Sequence, residues 1–171
     1  MANYIYPAPG TTDVEATLTI YHTSKAAEAA LSTPETGMLV PSLQDITVNA
    51  ANDIFSWTQL DAGAKKQIAT TATNSLSMNL VLNKDTFFGD SSATANSAEN
   101  SGILGLSTDK TRVQFDLYTG DENTGTAGKY ISGFGYVTGL APTVSADAPV
   151  WVSPITITVD SDYTVSDSPI A

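Results

Sequence analysis

Arg112-Val-Gln-Phe-Asp-Leu-Tyr118 is the stretch that decides the fold class, because apolar and polar side chains alternate along it. Val113, Phe115 and Leu117 fall on one side, and the polar residues between them fall on the other. A period of two is the pattern of a strand that buries one face. The stretch therefore predicts a half-buried β-strand in which Asp116 points away from the core.

A second strand is predicted from Lys129 to Thr143, and its unusual feature is glycine. Gly133, Gly135 and Gly139 share one face of this strand. Glycine inside a strand adds no packing surface, so three on one face indicate a bend, a bulge or another backbone lying close by. The pattern predicts a curved or closing sheet.

The third strand of this region runs from Val150 to Asp160 and separates apolar side chains from hydroxyl side chains. Pro154 cannot donate a hydrogen bond to a neighbouring strand, so it predicts an edge or bulged position. The alternation of all the strands together predicts one core. Its expected inward-pointing members are Leu18, Ile20, Leu80, Phe115, Trp151 and Ile157.

The rest of the chain adds strands and little helix. Alternation predicts strands at Val14 to His22, Leu43 to Val48 and Leu76 to Leu82. An aromatic hairpin from Phe55 to Ile68 turns at Asp and Gly residues, and Asp85 to Gly89 is expected to form one helical turn. The predicted class is mainly β, a small antiparallel β-sandwich or barrel with one or two short flanking helices.

A length of 171 residues predicts a single domain spanning residues 1–171, and no linker divides it. Residues 1–13 contain two prolines and a glycine and are expected to be an extended N-terminal segment. Residues 90–102 are almost wholly Ser, Ala, Asn, Asp and Glu, which predicts a flexible surface loop. A short helical turn is expected from Ile103 to Ser107.

Composition limits the possible chemistry. The chain has 18 Asp and Glu against 7 Lys and Arg, a formal net charge of -11, which disfavours binding to a nucleic-acid backbone. Solubility explains this acidity, and a surface that repels a polyanion is the alternative. The absence of cysteine excludes disulfides and thiolate sites. No signal peptide or membrane span is recognised, so we expect synthesis in a reducing cytosol and no membrane contact.

The motifs predict no catalytic residue, no cofactor site and no metal site. His22 is the only histidine and continues an apolar strand face, so we expect a structural role for it. Asp121-Glu-Asn-Thr-Gly125 begins like a calcium loop but lacks the later ligands. Asp160, Asp162 and Asp167 are interpreted as a solvated acidic tail, with a weak calcium site as the alternative. The expectation is a protein that is not an enzyme.

The order of the elements carries a resemblance. The phrase Tyr130-Ile-Ser-Gly-Phe-Gly-Tyr-Val-Thr-Gly139 is followed by a turn containing Pro and Ala and by the closing strand Pro154-Ile-Thr-Ile-Thr-Val159. Together with the upstream strands and the aromatic hairpin, this order covers most of the chain. It resembles the tail tube protein (major tail protein) of tailed bacteriophages, through its strand pattern and composition and not through an invariant motif.

The resemblance implies a phage tail tube fold, with six copies in a ring whose inner strands join into one β-barrel lumen. Rings would stack around a tape measure protein, meet tail terminator and baseplate proteins and in some tails a sheath, and later conduct DNA without specific binding. The protein would be made in the host cytoplasm and lie in the virion tail. Ring stacking is expected to use residues 1–13, 90–102 and 120–128, and Asp116 is a candidate for an acidic bore.

Two other classes stay open. A β-sandwich binding module, such as a capsid decoration or an adhesin-like surface domain, needs the same strands and no ring. An enzyme that uses only an Asp or Glu pair needs a cleft in which one carboxyl pKa is raised, and no spacing in this sequence identifies such a pair. Assembly into tubes would separate the first class from both of these.

Overall fold

The computed structural model describes residues 14–22, 37–40, 43–58, 64–70, 73–93, 97–121, 126–146 and 148–168. Strands dominate these ranges, which confirms the mainly β class, and α1 confirms the helical turn expected near residue 85. The elements in chain order are β1 (Val14–His22), β2 (Met38–Val40), β3 (Leu43–Asn49), β4 (Asp53–Thr58), β5 (Lys65–Thr70), β6 (Ser75–Val81), α1 (Lys84–Phe88), α2 (Ala98–Thr108), β7 (Arg112–Asp121), β8 (Thr126–Leu140), β9 (Thr143–Ser145), β10 (Ala148–Val159) and β11 (Thr164–Ser166).

The main sheet is antiparallel and has the order β2-β1-β7-β8-β10-β6-β3, with β11 beside β8 and β9 beside β10. Only two residues separate β2 from β3 along the chain, so the Cα atoms of Val40 and Leu43 lie within about 11 Å of each other. β2 and β3 are the two outermost strands of the sheet order, so the sheet must be rolled to bring their ends this close. No ladder joins β2 to β3 among the strands described, so one subunit does not form a closed barrel.

The inward faces of the rolled sheet enclose the core. Five of the six predicted core residues are buried, with at most 2% of each exposed. They are Leu18, Ile20, Leu80, Phe115 and Ile157. The prediction for Trp151 is wrong, because this residue is 53% exposed. β10 pairs with β6 only from Val152 onward, so Trp151 lies beyond the section of the strand that covers the core.

Helix α2 corrects part of the interpretation of residues 90–102 as a flexible loop, because residues 98–101 are helical and end at a kink where Gly102 has a positive φ of 64°. Ser97 caps the helix by accepting a hydrogen bond from the backbone N–H of Asn100, a common role of serine at this position. The first turn buries no large apolar side chain before Ile103, so the segment lacks the apolar periodicity that would have predicted a helix.

Gly135 shows why β8 carries glycine. A Cβ atom at this position would lie 2.9 Å from Cγ2 of Ile157 and still closer to the carbonyl oxygen of Thr158. This confirms that another backbone lies against the glycine face of the strand. The pairing of β8 with β10 also shifts register between Thr156 and Ile157, so the strands bend here.

An edge or bulged position is predicted for Pro154; the edge position is wrong, because β10 is an interior strand, but the register of β10 shifts on both sides of Pro154, between Ala148 and Val152 and between Thr156 and Ile157. Trp151 and Val159 make their backbone hydrogen bonds on the β6 side of β10. Alternate residues of an antiparallel strand face the opposite neighbour, so the nitrogen of Pro154 faces the β8 side. β8 pairs with β10 only from Ile155 onward, and no N–H is needed at Pro154.

Candidate assembly surfaces

Strands β4 and β5 form a hairpin that is a separate two-stranded sheet. Phe55 pairs with Ile68 and Trp57 pairs with Lys66, so these side chains share one face. The rings of Phe55 and Trp57 are stacked, with centroids 5.9 Å apart. No residue of the hairpin, as far as it is described, belongs to the apolar core or packs against it. We refer to Phe55, Trp57 and Ile68 as the hairpin face.

The hairpin is exposed on both sides. Phe55 and Ile68 are 59% and 55% exposed, and Ile54 on the opposite face is 63% exposed. A lone two-stranded hairpin is marginally stable in water, and contiguous exposed apolar surface marks contact sites. The sequence predicted the hairpin but assigned it no contact role. The sequence signal for a contact role is the adjacent pair Ile54 and Phe55. Because successive strand residues point to opposite faces, this pair places an apolar side chain on each face of the hairpin.

Three more exposed apolar side chains lie in β9 and at the start of β10. Val144, Val150 and Trp151 are 48%, 46% and 53% exposed. The ladder pairs Thr143 with Val152 and Ser145 with Ala148, so its register shifts between these two pairs. The irregular stretch of β10 at this shift contains Val150 and Trp151.

The outer face of β3, β6, β10 and the adjoining part of β8 is lined by hydroxyl groups. Thr47, Ser77 and Thr156 are in register across three strands, and the hydroxyls of Thr138 and Thr158 lie 2.8 Å apart. We refer to these five residues as the hydroxyl face. Strands β3, β6 and β10 contain no Lys, Arg or His and one acidic residue, so the face carries little charge and no positive charge.

Asp116 cannot belong to a solvent-lined bore, because it is only 3% exposed. It points away from Phe115 as predicted, but both faces of β7 are covered. Thr19 and Ser132 are its register partners on the neighbouring strands. Gln114 Nε2 donates to Asp116 Oδ2 at 3.5 Å, whereas Asp116 Oδ1 and Ser132 Oγ have no hydrogen-bond partner among the described residues. The expectation that Asp116 lines the bore is therefore wrong.

The segment after β10 is fastened to the sheet by ion pairs. Arg112 Nε lies 2.9 Å from Asp160 Oδ2, and the Arg112 guanidinium carbon lies 4.4 Å from the centroid of the Phe134 ring. Lys129 forms an ion pair with Asp167. Two of the three C-terminal acids therefore contact basic side chains of β7 and β8 instead of converging on a cation.

Tyr163 anchors the turn between β10 and β11. Its hydroxyl donates to the carbonyl oxygen of Ser75 at 2.7 Å and lies 3.3 Å from that of Asn49, and its ring packs edge-on against Phe115. Burial raises the pKa of Tyr163 and also that of Tyr21, because the phenolate is disfavoured away from water. The two carbonyl groups flank the hairpin segment, so Tyr163 fixes the point where the hairpin leaves the sheet.

The other candidate positions carry no assembled chemistry. His22 lies at the end of β1 opposite Val113. Within the described ranges, no three His, Asp or Glu side chains come together as metal ligands, and no helix there is long and apolar enough to cross a membrane. Of the segments expected to mediate ring stacking, residues 1–13, 94–96 and 122–125 lie outside the described residues.

Solved structures share this fold. The tail of an empty gene transfer agent particle with C6 symmetry aligns over 87% of this chain and 95% of that chain, with a TM-score of 0.54 and 9% identity. The SPP1 tail tube aligns over 91% and 78%, with a TM-score of 0.54 and 11% identity. The tube-terminating cap of the anti-feeding prophage aligns over 97% and 95%, with a TM-score of 0.52 and 12% identity. No protein-family model and no curated protein matches the sequence.

The chain therefore has the tail tube fold, which confirms the fold expected from the order of its strands. The likeness to the three structures extends over at least 87% of this chain, so it includes the main sheet. At identities of 9 to 12% the likeness is one of fold, and the role of the chain has to be argued from its own surfaces.

Proposed function

We propose that this protein is a structural subunit of a tail tube, assembled as hexameric rings that stack into a hollow tube. The observation that carries the proposal is the apolar hairpin, which stands apart from the core of a tail tube fold. A surface of this kind is stable when a neighbouring subunit covers it. The C6 symmetry of the gene transfer agent tail supports a ring of six.

The hydroxyl face is the part of the subunit best suited to line the bore. Its hydroxyl groups hydrogen-bond to water, and β3, β6 and β10 offer no cation that would hold phosphate. With a net charge of -11 per subunit, the assembled tube repels DNA over a Debye length of about 8 Å at physiological salt. DNA would therefore pass through the tube without being retained during ejection.

The same role defines the partners and the location. A tape measure protein would occupy the bore before DNA, a tail terminator and a baseplate would close the two ends, and a sheath would surround the tube in a contractile tail. The fold shared with a tube-terminating cap supports an end-to-end contact with a related protein. The subunit would be made in the host cytoplasm, end in the virion tail and perform no catalysis.

Electron microscopy of the purified full chain, combined with sedimentation velocity at rising concentration, tests the proposal. We expect hollow tubes with sixfold end views. Phe55→Ser should reduce assembly, because it removes an apolar ring that is 59% exposed, whereas Val165→Ser, at an apolar position 64% exposed on β11, should not. A wild-type protein that stays a single-subunit species at every concentration would refute the proposed role.

A further inference from the structure

We propose that Tyr163 is a positioning residue for assembly, because it fixes the orientation of the hairpin relative to the main sheet. The inference rests on the proposed function, in which a neighbouring subunit covers the hairpin face. It goes further by naming a side chain outside the hairpin that sets how this surface is presented. Tyr163 acts at the hairpin root, which we define as Asn49, Ala51, Asn74 and Ser75.

The hairpin has few attachments to the rest of the subunit. Among the described strands, β4 and β5 pair only with each other, and no described residue of either strand belongs to the apolar core. Asn49 and Ser75 form the last pair of the β3–β6 ladder, so the chain leaves the main sheet and returns to it at this pair. The direction in which the hairpin projects is therefore set by the contacts of its root.

Two side chains hold the root together. The Tyr163 hydroxyl donates to the carbonyl oxygen of Ser75 at 2.7 Å and lies 3.3 Å from that of Asn49, so one group contacts both arms. Asn74 is 7% exposed, and its Oδ1 accepts from the backbone N–H of Ala51 at 3.3 Å, which also joins the two arms. Because the bond of Tyr163 is the shorter of these two, we expect it to restrict the root more.

The turn that brings Tyr163 to the root is itself fixed. Ser161 has a φ of +93°, a left-handed value that glycine adopts more readily than a residue with a side chain. On one side of this turn, Asp160 donates its backbone N–H to Phe134 at 2.7 Å and pairs with Arg112, and on the other side β11 pairs with β8. A strained residue persists only where its surroundings fix it, so these contacts hold Tyr163 in one place.

A hairpin that is fixed before contact loses less freedom when a neighbouring subunit binds it. Ordering a mobile segment at an interface costs entropy, and rigidity before contact avoids this cost. The ring of Tyr163 packs edge-on against Phe115, so Tyr163→Phe keeps this packing and removes only the hydroxyl. This variant therefore separates the positioning of the hairpin from the support of the core.

Time-resolved fluorescence anisotropy of Trp57 measures the motion of the hairpin directly. The chain contains two tryptophans, so Trp151→Phe leaves Trp57 on β4 as the only one. In this background Tyr163→Phe is compared with Tyr118→Phe, which removes the same oxygen from β7, a strand separated from β6 by β8 and β10. The full-length proteins are measured below the concentration at which they assemble, and tube formation is then followed by sedimentation at rising concentration.

We expect Tyr163→Phe to add a nanosecond component to the anisotropy decay and to raise the critical concentration for tubes about two- to tenfold, the change in an equilibrium that the loss of one hydrogen bond produces. Tyr118→Phe should change neither. An unchanged decay in Tyr163→Phe, or a faster decay with unchanged assembly, would overturn the inference and leave the proposed function standing. Equal effects of both variants would assign Tyr163 to overall stability and also overturn the inference. The absence of any assembly from wild-type chain would overturn both proposals.

Discussion

Replacing Gly135 by alanine should destabilise the protein, although alanine is usually the better residue in a regular element. The added methyl group would lie 2.9 Å from Cγ2 of Ile157 and closer still to the backbone carbonyl of Thr158. That carbonyl belongs to an interior strand, so it cannot move aside without disturbing the pairing of β8 with β10. Overpacking of this kind typically costs about 1 to 3 kcal/mol.

An opposing effect reduces this cost. Alanine restricts the unfolded chain more than glycine does, which stabilises the folded state by roughly 0.4 to 1 kcal/mol where the backbone permits. Because the added methyl group would meet backbone, we expect the cost to lie in the upper half of its range, about 2 to 3 kcal/mol, so the net loss for Gly135→Ala is about 1 to 2.5 kcal/mol. For a chain of this size, the melting temperature should fall by roughly 2 to 10 °C.

Gly105→Ala is the matched control. This glycine lies within α2, where an added Cβ would meet only Ser101 Cβ at 3.5 Å, an ordinary contact. Alanine in a helix interior is favoured over glycine by about 0.8 to 1 kcal/mol, so this variant should melt higher. Thermal unfolding of both variants at one fixed low protein concentration gives the comparison. A Gly135→Ala protein as stable as wild type would refute the close approach of the two backbones.

Three further predictions concern the core, the pH dependence and the bore. Ile157→Ala should lower the free energy of unfolding by about 2 to 5 kcal/mol in chemical denaturation, because the side chain is fully buried, and a change below 1 kcal/mol would contradict its inward position. Burial raises the pKa of Tyr163 in the folded state above the ordinary 10.0, so the free energy of unfolding should stay constant in this respect below pH 10 and fall as the pH rises through the folded pKa. Tyr163→Phe should make this fall smaller and should cost about 0.5 to 1.5 kcal/mol at neutral pH, because it removes a hydrogen bond. A fall of unchanged size in Tyr163→Phe would rule out Tyr163 as its source. Ser77→Lys tubes should retain fluorescent DNA in a salt-sensitive way when pelleted, and retention equal to wild type would place the hydroxyl face outside the bore.

Alternation predicted much of the sheet because it reports directly which side of a strand a residue occupies. Leu18, Phe115 and Ile157 are buried as expected, and the glycine positions of β8 indicated a close backbone before the structure showed it. The tail tube fold could be predicted from the sequence because the order of the strands resembles that family, although no single motif does.

The errors share a physical cause, since alternation does not report how far the cover of each face extends. Trp151 lies on the inward side of β10 but beyond the end of the core, and Asp116 lies on the outward side of a strand that is covered there too. Pro154 is tolerated in an interior strand because β8 begins its pairing with β10 one residue later, at Ile155. The contact role of the hairpin was also not predictable, because a sequence shows that apolar residues are present and not whether the fold has room to bury them.

The rolled sheet has a consequence for how fast the subunit becomes competent to assemble. Val14 pairs with Asp121, so the β1–β7 ladder joins positions separated by 107 residues, and β10 pairs with β6 across more than 70 residues from Val81 to Val152. Loops of this length must close before these strands gain any packing, which makes folding of non-local β topologies slow, in the range of milliseconds to seconds. Newly made chains would therefore fill the assembly pool at a rate set by strand pairing within each subunit, with unpaired edges exposed in the meantime.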